Sequence, residues 1–348
     1  MTSQTDRFLR GVSNRVSLDL DSTRHYAAIL GTAPSKGARS PSLWNRAFKA
    51  LNISAVMHPM DVAPAALPET IEELRDDPRF LGGAVAVPYK QQILQSLDDL
   101  EDEARAIGAV NCLYRSGDRL IGANTDGAAA LMSIRRLVPE LSGATVVLLG
   151  IGGTGSAVAA YLAKAIAPSG TLLLANRTRG KEAFVRDLQT YCRSEILPTW
   201  PVPHEVLADA DVIVNATSIG SELTHVRDSV AHLLLAYTPL APIGAITPVA
   251  PGNDLAHRFA DANLEAIAAN IERSWRALQC VSRAAVFDVV YQPTQSLLVT
   301  LAKARGLKSA GGEMMNLEQA IISFQKAVTP VTLNCPDAEF IQRTMTHS

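Results

Sequence analysis

No stretch of the chain is apolar for long enough to cross a bilayer, and its opening residues (MTSQTDRFLRGVSNRVSLDLDS) lack the apolar core of a secretory signal. No repeat or low-complexity segment interrupts it. Cysteine is scarce: Cys112, Cys192, Cys280 and Cys335 are scattered, with no C-x-x-C and no His pair at metal spacing. They read as reduced thiols in a cytoplasmic protein, with no metal site. An excess of one charge is also missing. Lys and Arg number 32 against 34 Asp and Glu, a formal net charge of −2, so nothing points to nucleic acid or an anionic membrane. What remains is an ordinary globular composition, 47% hydrophobic and 19% charged, over 348 residues. That length suggests about two domains, each able to bury its own core.

What is present centres on residues 144–181. An apolar run ends at Gly150, and Gly150, Gly152 and Gly155 stand in G-x-G-x-x-G spacing with Gly153 between them. A small-residue helical pattern begins at Ser156, and a second apolar run follows at 171–175. Strand, glycine turn, helix and strand make one βαβ unit. The first glycine permits a tight turn, the second lets backbone N–H groups approach a pyrophosphate, and the third lets helix and strand pack closely. The helix N-terminus then faces the phosphates. The pattern predicts a dinucleotide site; a glycine-rich turn without ligand is the plainer alternative.

A further absence selects the dinucleotide. An NAD site usually carries Asp or Glu at the end of the second strand. Here stand Asn176, Arg177, Thr178, Arg179, Gly180 and Lys181, with no acid before Glu182. Three cations and two small polar side chains suit a 2′-phosphate, which favours NADP. A solvated basic turn is the alternative.

Around this unit, strands are expected at residues 26–31, 53–57 and 81–87, with helices from near 42, over 68–75, over 91–97 and over roughly 99–107. Residues 111–115 and 119–122 flank Ser116-Gly117-Asp118 and read as a hairpin. It delivers Asn124-Thr125-Asp126-Gly127 to a helix running toward Val138. Beyond the nucleotide unit come a third strand at 211–214, another apolar run at 286–290, and a closing helix within 307–328. The fold class is α/β: two α/β domains, an N-terminal substrate domain and a Rossmann NADP-binding domain, with a cleft between them.

Several motifs together resemble the shikimate dehydrogenase family. They are Ser40-Pro41 before Asn45, Val85-Ala86-Val87-Pro88-Tyr89-Lys90, Gly108-Ala109-Val110-Asn111, Asn124-Thr125-Asp126-Gly127, the glycine loop and Asn176-Arg177-Thr178. Asn215-Ala216-Thr217-Ser218, Asp288-Val289-Val290-Tyr291 and Gln319 complete the set in order. The resemblance implies NADP-dependent interconversion of a cyclic polyol acid and its ketone, as with shikimate and 3-dehydroshikimate. It also implies the organisation: a polar leader over 1–25, a substrate domain over 26–142 plus about 307–330, and a dinucleotide domain over 143–306. It implies Lys90 and Asp126 as the catalytic pair, and Ser40, Asn111, Tyr291 and Gln319 as substrate contacts. The cofactor residues would be Gly150, Gly152, Gly153, Gly155, Asn176, Arg177, Thr178, Lys181, Thr217 and Ser218. The chemistry agrees: an ammonium can donate a proton to a developing alkoxide, and a carboxylate beside it can orient both. A surface Lys and a helix-capping Asp are the bland alternatives.

Two departures stand out. The family usually has Ser-x-Ser-Pro where this chain has Ala38-Arg39-Ser40-Pro41, and Asn-Val-Thr-Val-Pro where it has Ala84-Val85-Ala86-Val87-Pro88. Alanine cannot hydrogen-bond a carboxylate or hydroxyl, so the recognition end is altered while the reacting end is kept. A modified ring, or a substrate without the carboxylate, is an open alternative. The second departure is an insertion over about 222–285, proline-rich at first and then helical over about 261–282, with Ile267, Ile271, Trp275, Leu278 and Val281 at helical spacing. It reads either as a dimerisation or lid element or as an extra helix on the nucleotide domain. The partners expected are a small cyclic polyol acid or ketone, with no nucleic acid and no membrane, on a monomer or homodimer. A metabolite sensor without catalysis and an NAD-linked quinate dehydrogenase are the competing functions.

Overall fold

The computed structural model describes residues 6–7, 11–14, 16, 18–19, 24–176, 180–197, 200–222, 224–227, 230–332 and 337–346. Its chain divides into two units, Met1–Asp126 with Leu317–Ser348, and Gly127–Asn316.

In the first unit, short apolar runs form a six-stranded mixed sheet. In chain order come β1 (His25–Gly31), α1 (Ser40–Ala50), β2 (Ala55–Asp61), α2 (Leu67–Asp76) and β3 (Phe80–Val85). There follow α3 (Tyr89–Gln92), β4 (Asp99–Leu100), α4 (Asp102–Ile107), β5 (Cys112–Ser116) and β6 (Arg119–Ala123). The sheet order is β2-β1-β3-β5-β6-β4. Strand β1 runs parallel to both neighbours, while β5 is antiparallel to β3 and β6, so the expected hairpin is present. Tyr26, Leu30, Met60, Ile71, Phe80, Tyr89 and Leu113 belong to its core. Strand β3 can lie between its neighbours only because of glycine. Gly83 has φ +150°, and a Cβ there would sit 1.8 Å from the Ala28 carbonyl oxygen.

The second unit starts within α5 (Asp126–Leu137) and continues with β7 (Thr145–Leu149), α6 (Gly153–Ile166), β8 (Thr171–Ala175) and α7 (Glu182–Leu188). Then come β9 (Arg193–Ile196), α8 (His204–Ala208), β10 (Val212–Asn215) and a hairpin of β11 (Thr224–Arg227) and β12 (Val230–Leu233). Helix α9 (Leu255–Cys280), β13 (Ala285–Asp288), α10 (Leu297–Ala304) and β14 (Ser309–Ala310) complete it. The sheet order β9-β8-β7-β10-β13-β14 is parallel throughout. That is the doubly wound order 3-2-1-4-5-6 of a Rossmann domain. Alternate residues of β7 serve the two faces: Val146 and Leu148 enter one core, Val147 and Leu149 the other. Burial on both faces explains why such strands read as continuous apolar runs.

The chain then returns to the first unit along α11 (Glu313–Val328) and ends in α12 (Ala338–Thr346). Phe324 of α11 packs edge-on against Trp44, with ring centroids 5.2 Å apart, and tilted against Phe48 at 5.1 Å, both on α1. Burying each such ring contributes roughly 1.5–3 kcal/mol, which fixes the face that α11 turns inward. No helix among the described residues is long and apolar enough to cross a membrane.

Several expected elements are corrected. Residues 91–97 are not one helix: α3 passes into a 3-10 turn at Ile93–Ser96. Asp99 and Leu100 form an edge strand beside β6, and the helix starts only at Asp102. Strand β9 escapes the apolar pattern because Arg193 and Glu195 face solvent at the sheet edge. The closing segment starts as β14, pairing with β13, before its helix begins. Helix α9 begins earlier than its apolar spacing indicates and packs on the nucleotide unit, with Ala277 and Leu278 in the β7–β10 core. Its buried face includes Asn263, Asn270 and Ser274, and Ile267, Ile271 and Trp275 lie half-buried beside it. These polar residues hold the proline-rich segment. Asn270 accepts from Thr238 N at 2.8 Å and donates to the carbonyls of Thr238, Ala241 and Pro242. Asn263 accepts from Thr247 N at 2.7 Å and donates back to its carbonyl.

Candidate active site

Lys90 owes its position to the residue before it. Tyr89 is fully buried, donates its hydroxyl to the Val62 carbonyl, and donates its backbone N–H to Ala86 O at 3.0 Å. Burial pushes the Tyr89 phenol above its usual range, so it stays a neutral donor. With Val110 N donating to Lys90 O at 2.7 Å, the start of α3 is held through both of its first two residues. The Lys90 ammonium then meets Asp126 Oδ2 at 2.5 Å.

The hairpin supplies the other half. After β6, Asn124 donates to Ala109 O and accepts from Asp126 N, which places Asp126 as the first residue of α5. Its second oxygen accepts from Asn111 Nδ2 at 2.7 Å. Asn111, expected as a substrate contact, is thus also bonded to the Asp126 carboxylate. The same amide nitrogen lies 3.0 Å from Thr125 Oγ1 and 3.4 Å from Gln319 Oε1, while Asn111 Oδ1 accepts from Thr125 N at 2.7 Å. The charged pair is mostly sheltered, with side-chain exposures of 18% and 7%. Charges so placed interact far more strongly than in water, and each depends on its partner.

Lys90, Asn111, Asp126 and Gln319 thus come together in the first unit. Ser40 opens α1 and is buried, but among the described residues it joins none of these hydrogen bonds. Tyr291 is half-buried in the second unit, three residues beyond β13. Two members were missed from the sequence. Thr125 Oγ1 lies 3.1 Å from Ser323 Oγ, and both residues are buried. A hydroxyl carries no chemical signature, yet Ser323 follows Gln319 by one helical turn, a spacing that puts both on one face. At the altered end, Ala84 is buried in β3 opposite Cys112, while Ala38 and Ala86 are half-buried.

The second unit carries the glycine turn between β7 and α6. Gly150 has φ +89° and donates its N–H to Ala175 O at 2.7 Å. A Cβ on Gly155 would lie 2.0 Å from the Gly150 carbonyl oxygen, so helix and turn touch through bare backbone. Gly152 caps α6 with open space where a Cβ would be, and Gly153 is the first helical residue. The amides of that first turn have no carbonyl within the helix to bond, and the cradle fits a pyrophosphate. Asn176 accepts from Ile151 N at 3.3 Å, tying the end of β8 to the turn. Arg177, Thr178 and Arg179 lie outside the described residues, as does Cys335. Lys181 directly precedes α7 and is half-buried. Thr217 packs on the turn: its Cγ2 is 2.7 Å from where a Gly150 Cβ would stand. Ser218 is exposed, and its carbonyl accepts from the Ser221 hydroxyl at 2.8 Å. Beside this loop, Asp288 is wholly buried, and burial pushes its carboxyl up to about 6.

Comparison with known proteins bears on both units. Residues 30–113 match the model of the shikimate dehydrogenase substrate binding domain. The NADP(+) shikimate dehydrogenase of Carboxydothermus hydrogenoformans is 30% identical over 295 residues, covering 84% of this chain and 88% of its own. That of Symbiobacterium thermophilum is 31% identical over 302 residues, covering 85% and 86%. The fold matches a Thermus thermophilus shikimate 5-dehydrogenase crystallised with NADP(H) and shikimate, at TM-score 0.66, 25% identity and coverage of 92% and 98%. Likeness of this extent spans the substrate unit, the nucleotide unit and the return of the C-terminal helix, so the chain belongs to the shikimate dehydrogenase family.

Proposed function

We propose that the chain is an NADP-dependent dehydrogenase that interconverts a cyclic polyol acid and its ketone, with shikimate and 3-dehydroshikimate as the reference pair. The observation that carries this reading is the Lys90–Asp126 pair at 2.5 Å, braced by Asn111. NADPH, when bound, supplies the hydride. The glycine turn and the first turn of α6 would hold its pyrophosphate, and the basic stretch from Arg177 to Lys181 its 2′-phosphate.

As the carbonyl carbon gains the hydride, the π pair moves onto oxygen. Lys90 Nζ donates the proton that completes the hydroxyl. The Asp126 carboxylate keeps the ammonium aimed and takes a hydrogen bond from a ring hydroxyl, and Asn111 keeps that carboxylate from turning. In the oxidative direction Lys90 takes the hydroxyl proton as the hydride departs. A proton donor at a reacting carbon has no use in a protein that only senses a metabolite.

Substrate recognition is the altered part. Ala38, Ala84 and Ala86 stand where the family usually offers polar groups, so Ser40 and Gln319 carry more of the binding, with Tyr291 as a further substrate contact. Each hydrogen bond to a charged group that is missing costs about 1.5–3 kcal/mol of affinity. NADP(+) reduction by the purified full chain, followed by absorbance with shikimate, quinate and neutral cyclic polyols, tests the reading. Turnover that needs NADP(+) and one of these ring alcohols is the expected result, and no turnover with any of them contradicts it.

A further inference from the structure

The buried carboxylate of Asp288 does no work in the reaction just described, yet three donors converge on it. Its Oδ1 accepts from Asn215 Nδ2 at 2.9 Å and from Val290 N at 3.0 Å, and its Oδ2 accepts from Ser296 Oγ at 2.6 Å. Ser296 in turn caps α10, accepting from Val299 N. Asn215, also wholly buried, is engaged on every polar atom of its side chain. Its Oδ1 accepts from Thr217 N at 2.9 Å and from Thr217 Oγ1 at 2.7 Å, and its Nδ2 also donates to Ile219 O at 3.0 Å. Thr217 Oγ1 closes the ring by accepting from Ile219 N at 3.1 Å. The loop after β10 is therefore wound around one asparagine. That asparagine is oriented by Asp288 on the neighbouring strand.

The same loop forms a wall of the glycine turn. Thr217 Cγ2 and the Ala216 carbonyl lie 2.7 Å and 3.2 Å from where a Gly150 Cβ would be, and the Ala216 methyl is 3.3 Å from that of Gly155. A turn of Asn215 would move Thr217 and with it the surface facing a nucleotide. We propose that Asp288 is a positioning residue for the cofactor: through Asn215 it fixes loop 216–219 against the glycine turn and so sets the affinity for NADP(H). This rests on the reading that the second unit binds NADP(H). A carboxylate suits the place because it offers acceptors to all three donors at once, and leaving buried donors unpaired is costly.

NADPH titration of the full chain by fluorescence, with melting temperatures measured in parallel, tests this. Asp288→Ala leaves Asn215 unoriented and should raise the NADPH Kd about tenfold or more, the equivalent of one lost bond to a charged group. The loss of NADPH affinity should exceed any change in the KM for the ring substrate, to which Asp288 is linked only through Val290, the neighbour of Tyr291. Asp288→Asn still offers one oxygen to Asn215 and should recover most of the affinity. Ser296→Ala cuts the other arm and should lower the melting temperature with NADPH affinity unchanged. Equal Kd increases in Asp288→Ala and Ser296→Ala at equal melting loss would overturn the proposal, since general loosening would then explain both. If Asp288→Ala does not fold, Asn215→Ala breaks the same tie, and an unchanged Kd there overturns it. Wild type failing to bind NADPH would defeat the cofactor reading itself, whereas tight binding by wild type and variants alike would defeat only the role of Asp288.

Discussion

The reacting cluster of the first unit and the glycine turn of the second are built from different materials. Around Lys90 nearly every contact is made by side chains: the ammonium, the Asp126 carboxylate, the Asn111 amide and the Gln319 amide within 3.4 Å of one another in sequence of contact. Around Gly150 the contacts are made by backbone, and the decisive feature is missing side chains, as at Gly155. Proton transfer needs a charged group with a defined partner, so a single atom changed there should be felt in rate. Phosphate binding needs donors and room, so changes there should be felt in affinity. The two units are thereby expected to fail differently.

The largest effect should come from Lys90→Ala. Proton transfer from a positioned side chain is worth about 10²–10⁴ in rate, so kcat on the best substrate should fall by that factor while NADPH Kd holds. A parallel loss of NADPH affinity would break the separation between the two regions. Next, Arg177→Ala should raise the KM for NADP about ten- to a hundredfold, from the ~1.5–3 kcal/mol of a charge-assisted bond, and leave use of NAD nearly unchanged. Equal weakening of both cofactors would reduce the basic stretch to a solvated loop.

Within the first unit the comparison can be sharpened at the recognition end. Restoring polar groups by Ala38→Ser, Ala84→Asn and Ala86→Thr together should lower the KM for shikimate about tenfold or more, with kcat little changed. Efficient use of shikimate by the unaltered chain would show that other groups hold its carboxylate. The smallest effect concerns pH and the second unit. Burial raises the Asp288 pKa from 3.8 to about 6, so the folded state binds a proton more readily than the unfolded. Its contribution to stability is fully present below the unfolded value and is lost as pH rises through about 6. Relative to Asp288→Asn, wild type should gain on the order of 1 kcal/mol between pH 7 and pH 5, read from urea midpoints. Parallel midpoints would contradict this.

The contrast also explains what could be read from the amino acids. Lys90, Asp126, Asn111 and Gln319 could be named because they stand in an ordered set of motifs that resembles the family; alone, a Lys or a helix-capping Asp carries no such signal. Gly150 and Gly155 were legible because only glycine leaves the room required there, and Gly152 through the spacing it shares with them. Thr125 and Ser323 were not, since a buried hydroxyl pair could equally be a solvated one until the helix face is known. Neither was Gly83, whose need for φ +150° comes from Ala28 on the neighbouring strand. Strand β9 was hidden by its edge position, where three of its four residues are polar. The buried face of α9 was misjudged for a related reason: its asparagines bond the backbone of a segment remote in sequence. In each case the missing information was a tertiary neighbour.

The central claim is that Lys90 and Asp126 act as one unit, and a double-mutant cycle tests it most directly. The kcat of Lys90→Ala, Asp126→Asn and the double variant would be compared with wild type on the best substrate, at saturating NADPH. Once the proton donor is gone, the carboxylate that aims it has little left to lose, so the double variant should be no slower than about threefold below the slower single variant. Losses that multiply, or a Lys90→Ala protein with near-normal kcat, would contradict the account.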